Sequence, residues 1–294
     1  MSYFERLLPS VNKVSLVIPT YNGSRTIESA LRSTLCEGEI GEIIVCVNGD
    51  SDYFDFCKGL ALRYGDPRVR VVLNGNQPSP MAENWTFASN LARLEYLRIL
   101  CDDDEIIEGS TCHLVQILEQ SKNYSFVAGQ RRVVSEKGVT LIKSLGFRYG
   151  YGKRVFNLTQ TLRRCSLIGT TIFGEPSAML FRRIELIQCL PWSSKHKYAV
   201  DLDMCLRILR NRASYGVITN QVVSTFQVHS YSLSSKLSRI QSNDFTSLIE
   251  KNWEQLSAHP FPWVIVAKIQ SYLRMNARKV FYLLLKTRGL GRLR

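Results

Sequence analysis

Three adjacent carboxylates, Asp102, Asp103 and Asp104, follow directly on an apolar run, Glu95-Tyr-Leu-Arg-Ile-Leu100. Like charges this close repel one another unless a positive group sits among them. A hard divalent cation such as Mg²⁺ meets that need, because it takes oxygen ligands and bridges one or two carboxylates to substrate phosphates. The triplet alone also fits a solvated helix start, where acids complement the helix dipole ahead of a helix over Gly109–Gln120. Its place at the end of a strand favours the metal. A second acidic pair, Asp201 and Asp203, lies in Asp201-Leu-Asp-Met-Cys-Leu-Arg207. Read from the residues, Asp201 caps a helix there, with Leu202, Leu206 and Leu209 facing the core.

The elements around these residues set where they stand. Val14–Ile18 reads as a buried strand closed by Pro19, and Ser24–Leu35 as a helix with Ser24 as N-cap. Glu42–Val47, Val69–Leu73 and Glu95–Leu100 read as further strands, and Asp52–Tyr64 and Met81–Ala92 as helices. Strands alternating with helices of this length imply βαβ units and a parallel sheet covered on both faces. Ligands of such sheets bind outside the carboxyl ends of the strands. The loops at those ends, 20–23, 48–52, 74–77 and 102–105, are all polar or contain glycine. Four polar loops at one edge make a site.

Past Tyr124 the alternation breaks down. Short strands over Phe126–Arg131, Ser177–Phe181 and Gln221–Val228 mix with helices over Leu158–Cys165 and Val200–Asn211. The last stretch reads as two helices, Ser238–Trp253 and Trp263–Lys286, parted by His259-Pro-Phe-Pro262.

The chain has 294 residues, enough for one large α/β domain with an appendage, or for two small domains. No run reaches the roughly 18 apolar residues that a membrane span needs. Residues 1–14 lack the apolar core of a signal peptide, so the sequence predicts a cytoplasmic protein. Its eight cysteines are scattered, with no C-x-x-C pair, and read as small buried hydrophobes. The net charge of +13 favours anionic partners. Its distribution is uneven: residues 261–294 carry eight Lys or Arg and no acid, interleaved with apolar and aromatic side chains. A basic amphipathic helix of this kind suits an anionic membrane surface, and a helix packed on the domain with a solvated basic edge is the alternative.

The opening Val14-Ser-Leu-Val-Ile-Pro-Thr-Tyr-Asn-Gly23, followed by Ile27 and Leu31, resembles the start of the inverting family 2 glycosyltransferases. Asn48–Asp52 resembles that family's second nucleotide loop, and Asp102–Asp104 its DXD element, in the family's order and spacing over about the first 110 residues. The resemblance implies a GT-A fold: a mostly parallel, Rossmann-like α/β sheet flanked by helices, here with a C-terminal helical extension. It divides the chain into a catalytic domain over 1–235 (donor half 1–110, acceptor half 111–235) and a helical tail over 236–294. It assigns base and ribose to Pro19, Thr20, Tyr21, Asn22, Asn48, Gly49 and Asp52, and the diphosphate to Mg²⁺ or Mn²⁺. Asp102 would lie near ribose and metal, Asp104 would be a direct ligand, and Asp103 could replace either.

The acceptor half carries further likeness. Gly174-Glu-Pro-Ser-Ala-Met-Leu-Phe-Arg-Arg183 is similar to the family's acceptor-side loop, although a plain hairpin would read alike. Asp201 matches the position of the general base, with Asp203 as its rival. His229 falls where the family has an Arg-x-His-like segment near phosphates or metal, but Gln227 replaces the frequent cation there. Val47 likewise stands where a base-reading carboxylate is common.

The resemblance therefore implies a UDP- or dTDP-sugar donor and a glycan or lipid-linked acceptor, with the enzyme at most peripheral on the inner face of the cell membrane. A nucleic-acid-binding protein is the main competing reading of the charge, yet the expected sheet edge is acidic. A dehydrogenase would need G-x-G-x-x-G where Thr20-Tyr-Asn-Gly-Ser24 stands, and a nucleotidyltransferase a Gly-rich basic loop. An inactive glycosyltransferase-like scaffold would have no use for Asp102–Asp104 and Asp201 together.

Overall fold

The computed structural model describes residues 12–136, 138–147, 152–228, 238–256 and 261–285, with the backbone alone at 238–239 and 278–285. Strand β1 (Val14–Thr20) is buried along its whole length, as its unbroken apolar run requires. It lies between β2 (Ile40–Asn48) and β4 (Tyr96–Ile99), parallel to both, and β3 (Val69–Asn74) adds outside β2. The strand runs two residues past Ile18, through Pro19. β4 pairs β1 only as far as Val17, so the missing N–H of Pro19 falls beyond that ladder.

The helices joining these strands are α1 (Ile27–Leu35), α2 (Ser51–Tyr64) and α3 (Met81–Leu91). Ser24 is not a cap. Residues 24–26 form a turn in which Thr26 N and Ile27 N both bond to Gly23 O, and the helix begins at Ile27. Helix α2 is capped one turn-position earlier than the sequence suggests, by Asp50 Oδ1 accepting from Tyr53 N at 2.8 Å. That leaves Asp52 exposed in the first turn.

The second half extends the sheet in mixed sense. Its strands are β5 (Glu105–Ile106), β6 (Tyr124–Ser135), β7 (Thr140–Leu145), β8 (Lys153–Phe156), β9 (Met179–Arg182) and β10 (Tyr215–Val228). The ten-stranded sheet has the order β3-β2-β1-β4-β9-β6-β10-β5, with β7 added to β6 and β8 to β10. β9 enters antiparallel between β4 and β6, while β10 runs parallel to β6. The sequence reading stops β6 at Arg131 and misses β7 and β8, which form the half-exposed hairpin and edge of the second half.

Alternate residues of the strands feed two cores. Leu16, Ile18, Val45 and Val47 face α1, α2 and α4 (Ser110–Glu119). Val17, Ile44, Leu97 and Ile99 face α3, α5 (Leu158–Ile168) and α7 (Val200–Ile208). A capping box between Asn157 and Gln160 starts α5, and Gly169 at φ +69° ends it. The short α6 (Arg183–Ile187) follows β9. Helix α7 has Ala199 at its N-cap, so Asp201 sits inside the first turn rather than capping it. Last come α8 (Ser238–Leu256) and α9 (Phe261–Leu285), which pack on each other and on α5. Phe245, Ile249, Trp253, Val264 and Ala267 join the α5–α7 core, and Trp253 stacks on Trp263 with ring centroids 5.8 Å apart.

Candidate active site

The acidic turn hangs from β4 and is held from below by an arginine. Arg98 is completely buried in that strand and donates to Thr111 Oγ1 (2.6 Å), Val223 O (2.8 Å), Ser110 Oγ (3.1 Å) and Ser177 O (3.4 Å). Burial lowers its pKa to about 10, and Glu37 acts against that fall. Glu37 in turn accepts from Gly109 N and Thr111 N, satisfying donors at the start of α4. Above Arg98, Cys101 N donates to Ser177 Oγ at 3.0 Å, and Asp104 N closes a turn on Cys101 O. The acidic turn is thus stitched to the 176–178 turn.

The three carboxylates divide. Asp102 faces the loop after β1, where Thr20 Oγ1 donates to it and Tyr21 N adds a backbone bond. Thr20 also shares a hydrogen bond of 2.7 Å with the Tyr53 hydroxyl. Burial pushes Asp102 up to about 6, against the pull of Thr20. A side chain at Gly23 would collide with the Asp102 carboxylate, so the loop closes on it only with glycine there. Asp103 and Asp104 turn the other way and converge with Cys101, ligand atoms all within 4.8 Å of one another. Burial, then repulsion from Asp103, raises Asp104 well above the carboxylate range. Burial also keeps Cys101 a neutral thiol, which leaves two hard oxygen donors. A buried carboxylate hydrogen-bonded to Ser177 and Gln227 N, beside a second carboxylate, is a donor set that a hard dication fits. The structure therefore pairs Asp103 with Asp104 and gives Asp102 to the loop.

At the carboxyl ends of β2 and β3, Gly49, Asp50, Ser51, Asp52, Leu73 and Asn76 line an open cleft of about 440 Å³. Gly49 adopts φ +64° against the backbone of Gln77, where no Cβ fits. Asn48 is buried with its amide committed to Ser79: Nδ2 donates to Ser79 O (2.8 Å), and Oδ1 accepts from Ser79 N (3.0 Å). Its work is to hold the loop after β3 against the loop after β2. Tyr21 and Asn22 are exposed just past the end of β1, Asn22 at φ +53°, while Pro19 is buried in β1.

On the other flank, Gly174 (φ +85°) turns the chain so that Glu175 meets Arg131 of β6, Nε to Oε2 at 2.6 Å. The Arg131 guanidinium also lies 6.0 Å from the Phe226 ring centroid. Asp201 is half-buried in the first turn of α7 and accepts from Leu202 N at 2.8 Å. Burial raises its pKa to about 7, Glu175 raises it further, and Arg131 lowers it. Glu175 also raises Asp104. Asp203 is elsewhere in its allegiance: it pairs with Arg207 at 2.8 Å, and Arg207 reaches Pro191 O at 2.8 Å, fastening α7 to the loop before it. His229 lies outside the described residues, two positions beyond Gln227, whose N approaches Asp104 Oδ1 at 3.4 Å.

The sequence reading missed Arg98, Arg131 and Glu175 as site residues, since only tertiary pairing marks them. It also missed Arg25 and Arg132. With Asp103, Asp104, Thr225 and Gln227 these two line a smaller cleft of about 210 Å³ behind the acidic turn.

A parallel β3-β2-β1-β4 half, a mixed second half and an acidic turn at the point where strand order reverses define a GT-A type of core. The chain belongs to the glycosyltransferase-like family 2, whose model matches residues 10–241. Among curated proteins it is 27% identical over 220 residues to an uncharacterised protein of Mycobacterium tuberculosis, covering 70% of this chain and 64% of that one. It is 30% identical over 129 residues to an uncharacterised glycosyltransferase of Rickettsia felis, covering 44% of this chain and 21% of that one. A third relative, the GalNAc(5)-diNAcBac-PP-undecaprenol beta-1,3-glucosyltransferase of Campylobacter jejuni, is 26% identical over 125 residues, 42% of this chain and 40% of that protein. The chain thus spans less than two thirds of the length of each. Among solved structures, S. aureus TarS 1-349 in complex with UDP-GlcNAc aligns over 89% of this chain and 73% of that one, with a TM-score of 0.66 at 13% identity. That likeness is one of fold.

Proposed function

We propose that the chain is an inverting glycosyltransferase that moves a sugar from a nucleoside-diphosphate sugar, UDP- or dTDP-linked, to a hydroxyl of a glycan or lipid-linked acceptor. The observation that carries the proposal is the acidic turn at the end of β4, where Asp103 and Asp104 converge with Cys101 within 4.8 Å while Asp102 accepts from Thr20 in the loop region after β1. The cleft over Gly49–Asp52 receives the nucleoside, with Asn48 holding the loops after β2 and β3 together, and Pro19, Thr20, Tyr21, Asn22 and Asp102 complete the donor side at the end of β1. Asp103 and Asp104 would hold Mg²⁺ or Mn²⁺, with Asp102 turned to the sugar-nucleotide loop. When bound, such a cation offsets the charge that develops on a leaving diphosphate. The exposed guanidinium groups of Arg25 and Arg132 are placed to attract the same phosphates.

In this reading the acceptor hydroxyl attacks the anomeric carbon from the face opposite the diphosphate, through an oxocarbenium-like state. Asp201 takes the hydroxyl proton as the new bond forms. A carboxylate with its pKa brought near 7 matches that task better than an ordinary one, and a positioned base contributes roughly 10²–10⁴-fold. The ion pair of Asp203 with Arg207 supports Asp201 for the role. Residues 1–235 form the catalytic unit in this reading, and 236–294 an extension that brings it to an acceptor at a membrane face.

Asp201→Asn tests the assignment. Nucleotide-sugar binding should stay near normal while transfer to any acceptor falls by at least about 10²-fold. Full transfer by Asp201→Asn would remove Asp201 from the mechanism.

A further inference from the structure

Helix α9 shows two apolar faces where a packed surface helix has one. Val264, Ala267 and Ser271 are buried against α5 and α8. Phe261, Ile265, Ile269, Tyr272 and Leu273 instead stand 72%, 39%, 52%, 59% and 55% exposed. Their spacing of three and four residues puts them on one side of the helix, over about three turns. Single exposed apolar side chains are ordinary on a protein surface, but a contiguous stripe marks an interaction face.

Charge says what that face meets. From Phe261 to the end, the chain carries eight Lys or Arg residues and no Asp or Glu. A second copy would bring an equally cationic tail against the first, a repulsive pairing that apolar contact alone would have to overcome. An anionic lipid surface supplies both what the stripe needs and what the cations need. Aromatic and aliphatic side chains of this kind, Phe261 and Tyr272 with Ile265, Ile269 and Leu273, settle at the boundary between headgroups and acyl chains. Among the described residues no helix is long and apolar enough to cross a membrane, so the geometry is one of lying on the surface.

We infer that the Phe261–Leu273 face of α9 is a docking surface for an anionic lipid bilayer. The helix lies in the plane of the headgroups with this stripe inserted, while its opposite face stays seated on α5 and α8. The inference rests on the transfer reading only for its purpose, delivery of the enzyme to an acceptor at the membrane. The surface itself is argued from the helix.

The test is co-sedimentation of the full chain with vesicles of phosphatidylcholine alone and of equal parts phosphatidylcholine and phosphatidylglycerol. Wild type should bind the mixed vesicles, bind the neutral ones weakly, and release as salt rises. The triple variant Ile265→Ser, Ile269→Ser, Leu273→Ser should lose about tenfold or more in vesicle affinity. Tyr272→Glu, a single change at an exposed position, should weaken binding in the same direction. Undiminished binding by both variants would overturn the inference. So would failure of wild type to bind the mixed vesicles, or a dimer in solution that the triple variant abolishes. Nucleotide-sugar binding measured on the same samples separates the two readings. Lost vesicle binding with retained nucleotide binding removes the docking surface alone, and the reverse removes the transfer reading alone.

Discussion

Asp201 lies in a setting that penalises its charge, and this has consequences for both rate and stability. Its folded pKa of about 7 lies above the ordinary value of 3.8, so the fold binds a proton there more tightly than the unfolded chain does. The stabilising contribution of that proton is complete below about pH 4 and is lost as pH rises through about 7. Asp201→Asn should therefore raise the melting temperature at pH 8 and change it little at pH 4, a comparison that differential scanning fluorimetry makes directly. A base must be ionised to act, so kcat/KM of the wild type should climb on an acid limb centred near pH 7. Glu175 raises that pKa and Arg131 lowers it. Glu175→Gln should move the acid limb down, and Arg131→Met should move it up, each by about half to one pH unit. A limb that stays in place in both variants would show that this ion pair does not act on the base.

The parallel half was legible because its strands are continuous apolar runs ended by polar loops, and both features survive in the raw sequence. The β6–β7 hairpin and β8 were not, because half-exposed strands such as Thr140–Leu145 have neither an unbroken run nor a clean alternation. Helix starts were displaced by one to three residues: a turn over residues 24–26 precedes α1, and Asp50 rather than a later residue caps α2. Of the candidate site, the acidic triplet and Asp201 could be read locally. The roles of Asn48 and Asp203 could not, since their partners, Ser79 and Arg207 with Pro191, are met only in the folded chain. Arg98 reads in sequence as one polar residue in an apolar strand, yet it ties β4, α4, β10 and the 176–178 turn together. Arg98→Met would leave four acceptors without this donor, and the loss should outweigh the recovered cost of burying a guanidinium. Urea denaturation should show a stability loss of about 2–4 kcal/mol. An unchanged midpoint would mean that the arginine is replaceable packing.

At the scale of the whole molecule, one sheet edge gathers every element of the proposed chemistry. The cleft proposed for the nucleoside is lined by the loops after β2 and β3, the acidic turn follows β4, and Asp201 stands in the first turn of α7. The C-terminal helical extension is present as α8 and α9, which pack on α5 and share its core. The sequence could show that α9 is amphipathic, but only the packed structure separates its buried face from its exposed one. The central claim is that the acidic turn serves a nucleotide sugar through a divalent cation. The most direct test is a thermal-shift panel of UDP-, dTDP- and GDP-sugars with Mn²⁺, with Mg²⁺ and with EDTA, run on wild type and on Asp104→Ala. The account predicts stabilisation by one uridine or thymidine class that needs the metal and is lost in Asp104→Ala. Stabilisation by no nucleotide under any condition, together with a salt-sensitive rise on adding DNA or RNA, would contradict it.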